Sequence, residues 1–266
     1  MTTDPANEVP DGDMTLMEHL TELRTRIIKS AIAVAVGAVI CFIFRNSIID
    51  LLIEPYCNAL PSDDERRLIT QGNCTLVQTQ PLEGFSLVIT IAAYGGLMLS
   101  IPVILWQAWH FVAPGLYPHE RRHAVPFVTL GALLFFTGAG LAYWSIPRAL
   151  EFLLVVGGDQ LEPLLSPGPY IAFVVKMLVA FGLGFQFPLI LVFLQMIGVV
   201  QTSTLRAGRR YAIVGIVVLV AVLTPSGDPF TLGVLAVPMY LFYEAALLWG
   251  ALRERRQRKK SVAESV

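Results

Sequence analysis

Residues Ser86–Val112 read SLVITIAAYGGLMLSIPVILWQAWHFV, 27 positions without a formal charge. A membrane-crossing helix needs about 20 mostly apolar residues at 1.5 Å rise, so this run suffices for a span. On either side of it lie Ile27–Phe44, with Lys29 near its entry, Ala124–Trp144, and Tyr170–Ile197, which contains Lys176. Phe230–Trp249 is a further run, and Tyr211–Leu223 is apolar over only 13 residues. Thirteen residues cover about 20 Å of a roughly 30 Å hydrocarbon core. Joined by the turn Thr224-Pro-Ser-Gly-Asp-Pro229, the last two runs form either a re-entrant hairpin or two short spans that thin the bilayer. Two short helices are expected. The predicted fold is an all-α polytopic membrane protein of six transmembrane helices, the fifth and sixth short. Pro102, Pro188 and Pro238 fall inside spans, where each removes a backbone hydrogen bond and kinks the helix.

Composition points the same way. Of 266 residues, 55% are hydrophobic and 15% charged, with a mean hydropathy of +0.64. Soluble domains carry about 25% charged residues, so a water-soluble monomer is not expected, and intrinsic disorder is excluded. A net charge of -1 excludes the strongly basic balance of a nucleic-acid binder. Asp4, Glu8, Asp11 and Asp13 stand where a secretory signal would be basic and then apolar, so insertion is expected through the spans themselves. Residues 1–13 are expected to be a disordered cytoplasmic segment, 14–250 the membrane domain and 251–266 a basic cytoplasmic tail.

Sidedness follows from Lys and Arg placement. With six spans, one side carries 14 Lys+Arg against 9 Asp+Glu, and the other carries 4 against 10. The richer side holds both termini and is therefore expected to be cytoplasmic.

Residues 14–27 read as an amphipathic helix lying in the cytoplasmic interface, with Leu16, Leu20, Leu23 and Ile27 at helical spacing and a Thr15/Glu18 capping box. Glu22 on this helix is either the i,i+4 partner of Arg26 or a carboxylate offered to a cationic ligand. The loop His119-Glu120-Arg121-Arg122-His123 matches the H-E-x-x-H spacing of zinc proteases. Two arginines beside the site and the lack of an obvious third ligand argue against zinc. No phosphate-binding G-x-x-x-x-G-K-[ST] loop and no G-x-S-x-G elbow occurs, so neither enzymatic chemistry nor a cofactor is expected. Within the spans, Lys176 can snorkel to the interface, Gln186 is polar without charge, and Glu244 near the end of the last span is expected to be solvated. Cys57 and Cys74 share an outer loop that an oxidising exterior would allow to be bridged, whereas Cys41 is expected simply to pack.

Taken in order, several motifs resemble the TatC family, the polytopic subunit of the twin-arginine protein translocase. They are His19-Leu-Thr-Glu-Leu-Arg24, Glu54-Pro55, Ser100-Ile-Pro-Val-Ile-Leu-Trp-Gln-Ala-Trp109, Phe111-Val-Ala-Pro-Gly-Leu-Tyr117 and His119-Glu-Arg-Arg122. Phe181-Gly-Leu-Gly-Phe-Gln-Phe-Pro188, Leu223-Thr-Pro225 with Asp228, and Ala236-Val-Pro-Met-Tyr240 complete the series. The resemblance implies a receptor for twin-arginine signal peptides in the bacterial cytoplasmic membrane. It also implies assembly with the single-span subunits TatA and TatB, self-association, lipid contact, and export of folded cargo on the proton-motive force. Glu22 and Glu120 would read the two arginines, with Arg24, Phe111, Pro114 and Arg121 shaping the patch. Partner contacts would follow the short fifth and sixth helices, with Thr224 and Asp228 as candidates. The chain departs from the family at Gln186, where an F-E-x-P pattern usually has glutamate, and at Lys176. The competing reading, a small-solute transporter suggested by kinked spans and Lys176, lacks the internal repeats such proteins show.

Overall fold

The computed structural model describes residues 16–59, 76, 78, 80–112, 124–156, 166–225 and 227–264. Among these residues all regular structure is helical. Four helices are long and apolar enough to cross a membrane, or five if one bent pair counts as a span.

The first helix, α1, runs unbroken from Leu16 to Ile43. This corrects the expectation of a separate interfacial helix over 14–27. No proline and no glycine occurs between Leu16 and Val36, so nothing turns the chain into the membrane plane. Phe44 alone separates α1 from α2 (Arg45–Ala59). Pro55 lies inside α2 and cannot donate to the Leu51 carbonyl four residues back. The Tyr143 hydroxyl donates to that carbonyl instead, at 2.8 Å, and the Tyr170 hydroxyl donates to the carbonyl of Leu52 at 2.9 Å. The opening apolar run is two helices, α3 (Glu83–Leu99) and α4 (Ile101–Val112), bent by 51°. The break falls at Ser100, two residues before Pro102. The Ser100 hydroxyl donates to the Gly96 carbonyl at 2.6 Å.

The next helix, α5 (Ala124–Val156), extends 12 residues beyond the expected end at Trp144. It packs along α6 (Pro167–Gly184). Pro167 and the proline after it, Pro169, begin α6, where a missing N–H costs nothing. The buried Glu83 carboxylate accepts from the Gly168 N–H at 2.8 Å, which places negative charge at the positive end of the helix. Pro188 breaks the fourth run after Gln186, and α7 continues over Phe187–Met196. Short α8 (Thr202–Ala207) leads to α9 (Arg209–Leu223), and α10 runs from Pro229 to Glu264. Pro238 stays within α10, which continues through residue 264, so the last helix is not short as expected: its Pro229–Leu252 part alone has 24 residues, enough for a full crossing.

The core lies where α5 and α6 meet α2, α3 and α10, and includes Ile146, Ile171, Met177, Phe181, Leu235 and Met239. Helices approach closely at glycines, as membrane helices do when they pack by contact rather than by expelling water. A Cβ on Gly96 would lie 2.5 Å from the Ala38 nitrogen of α1, and one on Gly138 would lie 2.6 Å from the Phe181 oxygen of α6.

Candidate functional site

The polar cluster sits at the start of α1 and the end of α4. His19, Glu22 and Arg26 recur at spacings of three and four, which puts them on one face of α1. Gln107 and Phe111 share a face of α4 by the same rule, and α1 packs against α4. The Arg26 guanidinium bridges the two helices. Its Nη2 donates to Glu22 Oε1 at 3.0 Å, and its Nη1 donates to Gln107 Oε1 at 3.2 Å. The His19 ring stacks on Phe111 with centroids 4.5 Å apart. On the same helix as Gln107 and Phe111, Trp109 packs with Phe127 and Phe193 and ties α4 to α5 and α7.

Both readings of Glu22 meet here. The i,i+4 pair with Arg26 forms, yet it uses one carboxylate oxygen. Glu22 Oε2 and Arg26 Nε are buried and have no hydrogen-bond partner among the described residues. The Glu22 side chain is 18% exposed and that of Arg26 is 24% exposed. A buried polar atom without a partner costs about 1–3 kcal/mol, so the unpaired oxygen favours an added donor, most of all a cationic one.

The other expected site residues divide. Phe111 joins the cluster through His19. Arg24 is exposed on a different face of α1, two residues on from Glu22. Pro114, Glu120 and Arg121 lie outside the described residues, as does the His119–His123 spacing. Lys176 is exposed on α6. Gln186 is buried, and its Nε2 donates to the Gly131 carbonyl at 2.8 Å. Thr224 and Asp228 are also buried. Asp228 Oδ1 accepts from the Thr231 N–H at 2.7 Å and Oδ2 from the Thr231 hydroxyl, capping α10, while the Thr224 hydroxyl donates back to Val220. Cys57 is disulfide-bonded, Cys41 is a free buried thiol, and Cys74 lies outside the described residues. Glu244, expected to be solvated, instead accepts from Arg209 at 2.7 Å and from the Tyr240 hydroxyl at 3.0 Å. Arg209 opens α9, which packs on α10, and that brings the pair together. Gln107 had no expected role. The available signal was its position four residues before Phe111, as an amide in an otherwise apolar run.

The sequence profile described as Sec-independent protein translocase protein (TatC) matches residues 18–238. The chain belongs to the TatC family. It is 42% identical over 252 residues to the Sec-independent protein translocase protein TatC of Frankia casuarinae, covering 93% of this chain and 68% of that one. It is 38% identical over 249 residues to the TatC of Aquifex aeolicus, covering 92% of this chain and 98% of that one. The crystal structure of a twin arginine translocase receptor, TatC, in DDM superposes with a TM-score of 0.72 at 38% identity, covering 88% of this chain and 99% of that one. The TatC fold, a multi-pass helical membrane protein, and membership of the protein translocase thus hold for this chain.

Proposed function

We propose that this TatC is the receptor that reads the arginine pair of a twin-arginine signal peptide, and that Glu22 is one of its two reading carboxylates. The observation that carries this is the buried, unpartnered Oε2 of Glu22. Arg26 holds Oε1, which orients the carboxylate and leaves its second oxygen for an incoming guanidinium. Pairing there is charge-assisted and only partly screened by water. Glu120, from the loop that follows Phe111, supplies the second carboxylate, and the His19–Phe111 stack is an apolar wall against which the peptide lies. Pro114, Arg121 and Arg24 shape the patch. The protein binds and positions its cargo and performs no chemistry on it. TatA and TatB are its partners, folded proteins are its cargo, and the proton-motive force drives transport. The chain crosses the bacterial cytoplasmic membrane six times with both termini cytoplasmic, and the α9–α10 hairpin supplies the last two spans, of which α9 is the short one. Cys74 is the disulfide partner of Cys57. The buried roles of Thr224 and Asp228 make them builders of that hairpin, whose neighbouring exposed residues meet the partners.

The test measures binding of a twin-arginine signal peptide to the purified full chain. Glu22→Gln and Glu120→Gln are each expected to weaken binding by roughly tenfold to 100-fold, in line with about 1.5–3 kcal/mol for a hydrogen bond to a charged group. An RR-to-KK peptide should lose affinity for the wild type and far less for the double variant. Affinity should also fall with added salt. Wild-type binding by the double variant would sink the assignment.

A further inference from the structure

Lys176 is the charged residue within α6. Its side chain is exposed, and it makes no hydrogen bond or ion pair among the described residues. Its depth in the membrane can be read from helix packing. α5 and α6 run antiparallel: Gln186 bonds to Gly131, the Phe135 ring covers Gly182, and Gly138 rests on the Phe181 carbonyl. Following that register from Gln186 up to Lys176 carries Gly131 to Leu141. Following it from Phe181 carries Gly138 to Tyr143. Lys176 therefore stands level with Leu141–Tyr143, within one turn of Trp144.

Trp144 is 53% exposed, and the Arg148 guanidinium lies over its ring, 4.2 Å from the centroid. Exposed tryptophan mantled by arginine is the signature of a membrane–water interface. From Ala124 to Trp144 the helix rises about 30 Å, one hydrocarbon thickness, and it starts directly after Arg121 and Arg122. A second register agrees. Gly184 lies against Leu235 and Met239 and, further along, Gln195 of α7 donates to the Ala246 carbonyl of α10, so the two stretches run parallel and the level of Lys176 meets α10 at its first turn, beside Asp228 and Pro229. Lys176 thus sits at the edge of the hydrocarbon on the side that carries α2, not at its middle. Its Cβ points toward the N-terminus of α6, the direction of that interface, and its four-carbon stem carries the ammonium to the headgroup level.

We propose that Lys176 binds the phosphate of a phospholipid in the leaflet on the α2 side, at the headgroup level marked by Trp144 and Arg148. The ligand is a lipid phosphate because the exposed face of α6 that carries Lys176 also carries the exposed Leu183, seven positions on, an apolar surface on which acyl chains pack. A free phosphate would gain nothing from that surface.

The experiment uses the purified full chain in detergent and phosphatidylglycerol carrying a photoreactive headgroup, with crosslinks mapped by mass spectrometry. Crosslinking to α6 around Lys176 is expected. It should fall about fivefold in Lys176→Met, the scale of about 1 kcal/mol per lysine at a membrane surface, and recover in Lys176→Arg. A photoreactive diacylglycerol of the same chain length should label wild type and Lys176→Met equally, and millimolar inorganic phosphate should not compete. Equal phosphatidylglycerol labelling of α6 in wild type and Lys176→Met overturns the proposal. So does competition by inorganic phosphate, or a parallel fivefold loss with diacylglycerol. An unchanged melting temperature for Lys176→Met is the folding control, and Lys176→Arg keeps the test decisive if that variant is unstable.

Discussion

At Glu22 a single carboxylate is both paired and unpaired, and this division is what a receptor for a cation needs. An unpaired buried acid would be costly to hold ready. A fully paired one would have to break a bond before binding. Arg26 keeps the charge compensated while Gln107, reached from α4, fixes the guanidinium. Arg26→Ala should therefore weaken peptide binding less than Glu22→Gln does, because it loosens the carboxylate without removing it. Equal losses in a binding titration would make Arg26 a reading residue in its own right. Gln186 shows a different use of polarity inside the membrane. Its amide donates to the Gly131 carbonyl, and a carboxylate cannot donate. Gln186→Glu should lower stability by about 1–3 kcal/mol at neutral pH, seen as a drop in melting temperature in detergent. An unchanged melting temperature would mean that this hydrogen bond contributes nothing.

Among the helices, glycine and proline decide the contacts. Gly96 lets α3 close on the backbone of α1, where a Cβ would lie 2.5 Å from the Ala38 nitrogen. Gly140 on α5 has nothing within 4 Å of its would-be Cβ. Gly96→Ala should therefore cost about 1–3 kcal/mol by overpacking. Gly140→Ala should be neutral or stabilising by up to about 1 kcal/mol, the helix-propensity difference. Comparing the two melting temperatures checks the crossing. Pro55 and Tyr143 form a second, less obvious unit. The proline leaves the Leu51 carbonyl without its helical donor, and a hydroxyl from another helix fills the place. Tyr143→Phe should destabilise the wild type by about 1 kcal/mol or more. In a Pro55→Ala background, where residue 55 regains its N–H, the same change should cost measurably less. Additive costs in that double-mutant cycle would remove the coupling.

Across the whole molecule, the depth proposed for Lys176 sets the hydrocarbon edge on the α2 side at Trp144, Lys176 and the start of α10. The end of α5 from Tyr143 onward then stands at and beyond that edge with the first turns of α6, joined to α2 through Tyr143 and Tyr170. On the proposed orientation, drawn from the Lys and Arg asymmetry, that side faces the exterior. An alkaline phosphatase reporter fused after residue 62 should accordingly be active in cells, and one fused after residue 204 should be inactive. The reverse pattern would refute the orientation.

Counting apolar residues was enough to find the four or five helices long enough to cross a membrane, because a helix in lipid satisfies its own backbone and needs only length and composition to be recognised. Local spacing was likewise enough for the Glu22–Arg26 pair, since i,i+4 neighbours meet in any helix, and for the breaks near Pro102 and Pro188. The span limits were less legible: α1 continues through the expected interfacial segment, and α5 runs past Trp144 because a neighbouring helix, α2, gives its extension a surface to bury. The site's completion was not legible at all. Gln107 lies 81 positions from Arg26 and Gly131 lies 55 from Gln186, and such meetings depend on how far one helix slides along another. That offset is set by glycine contacts such as Gly96 on Ala38 and Gly138 on Phe181, which no periodicity within a single helix encodes. The inward turn of Asp228 and the pairing of Glu244 with Arg209 have the same origin. A helix face is a local property of the chain, but its neighbour is chosen only when the whole bundle packs.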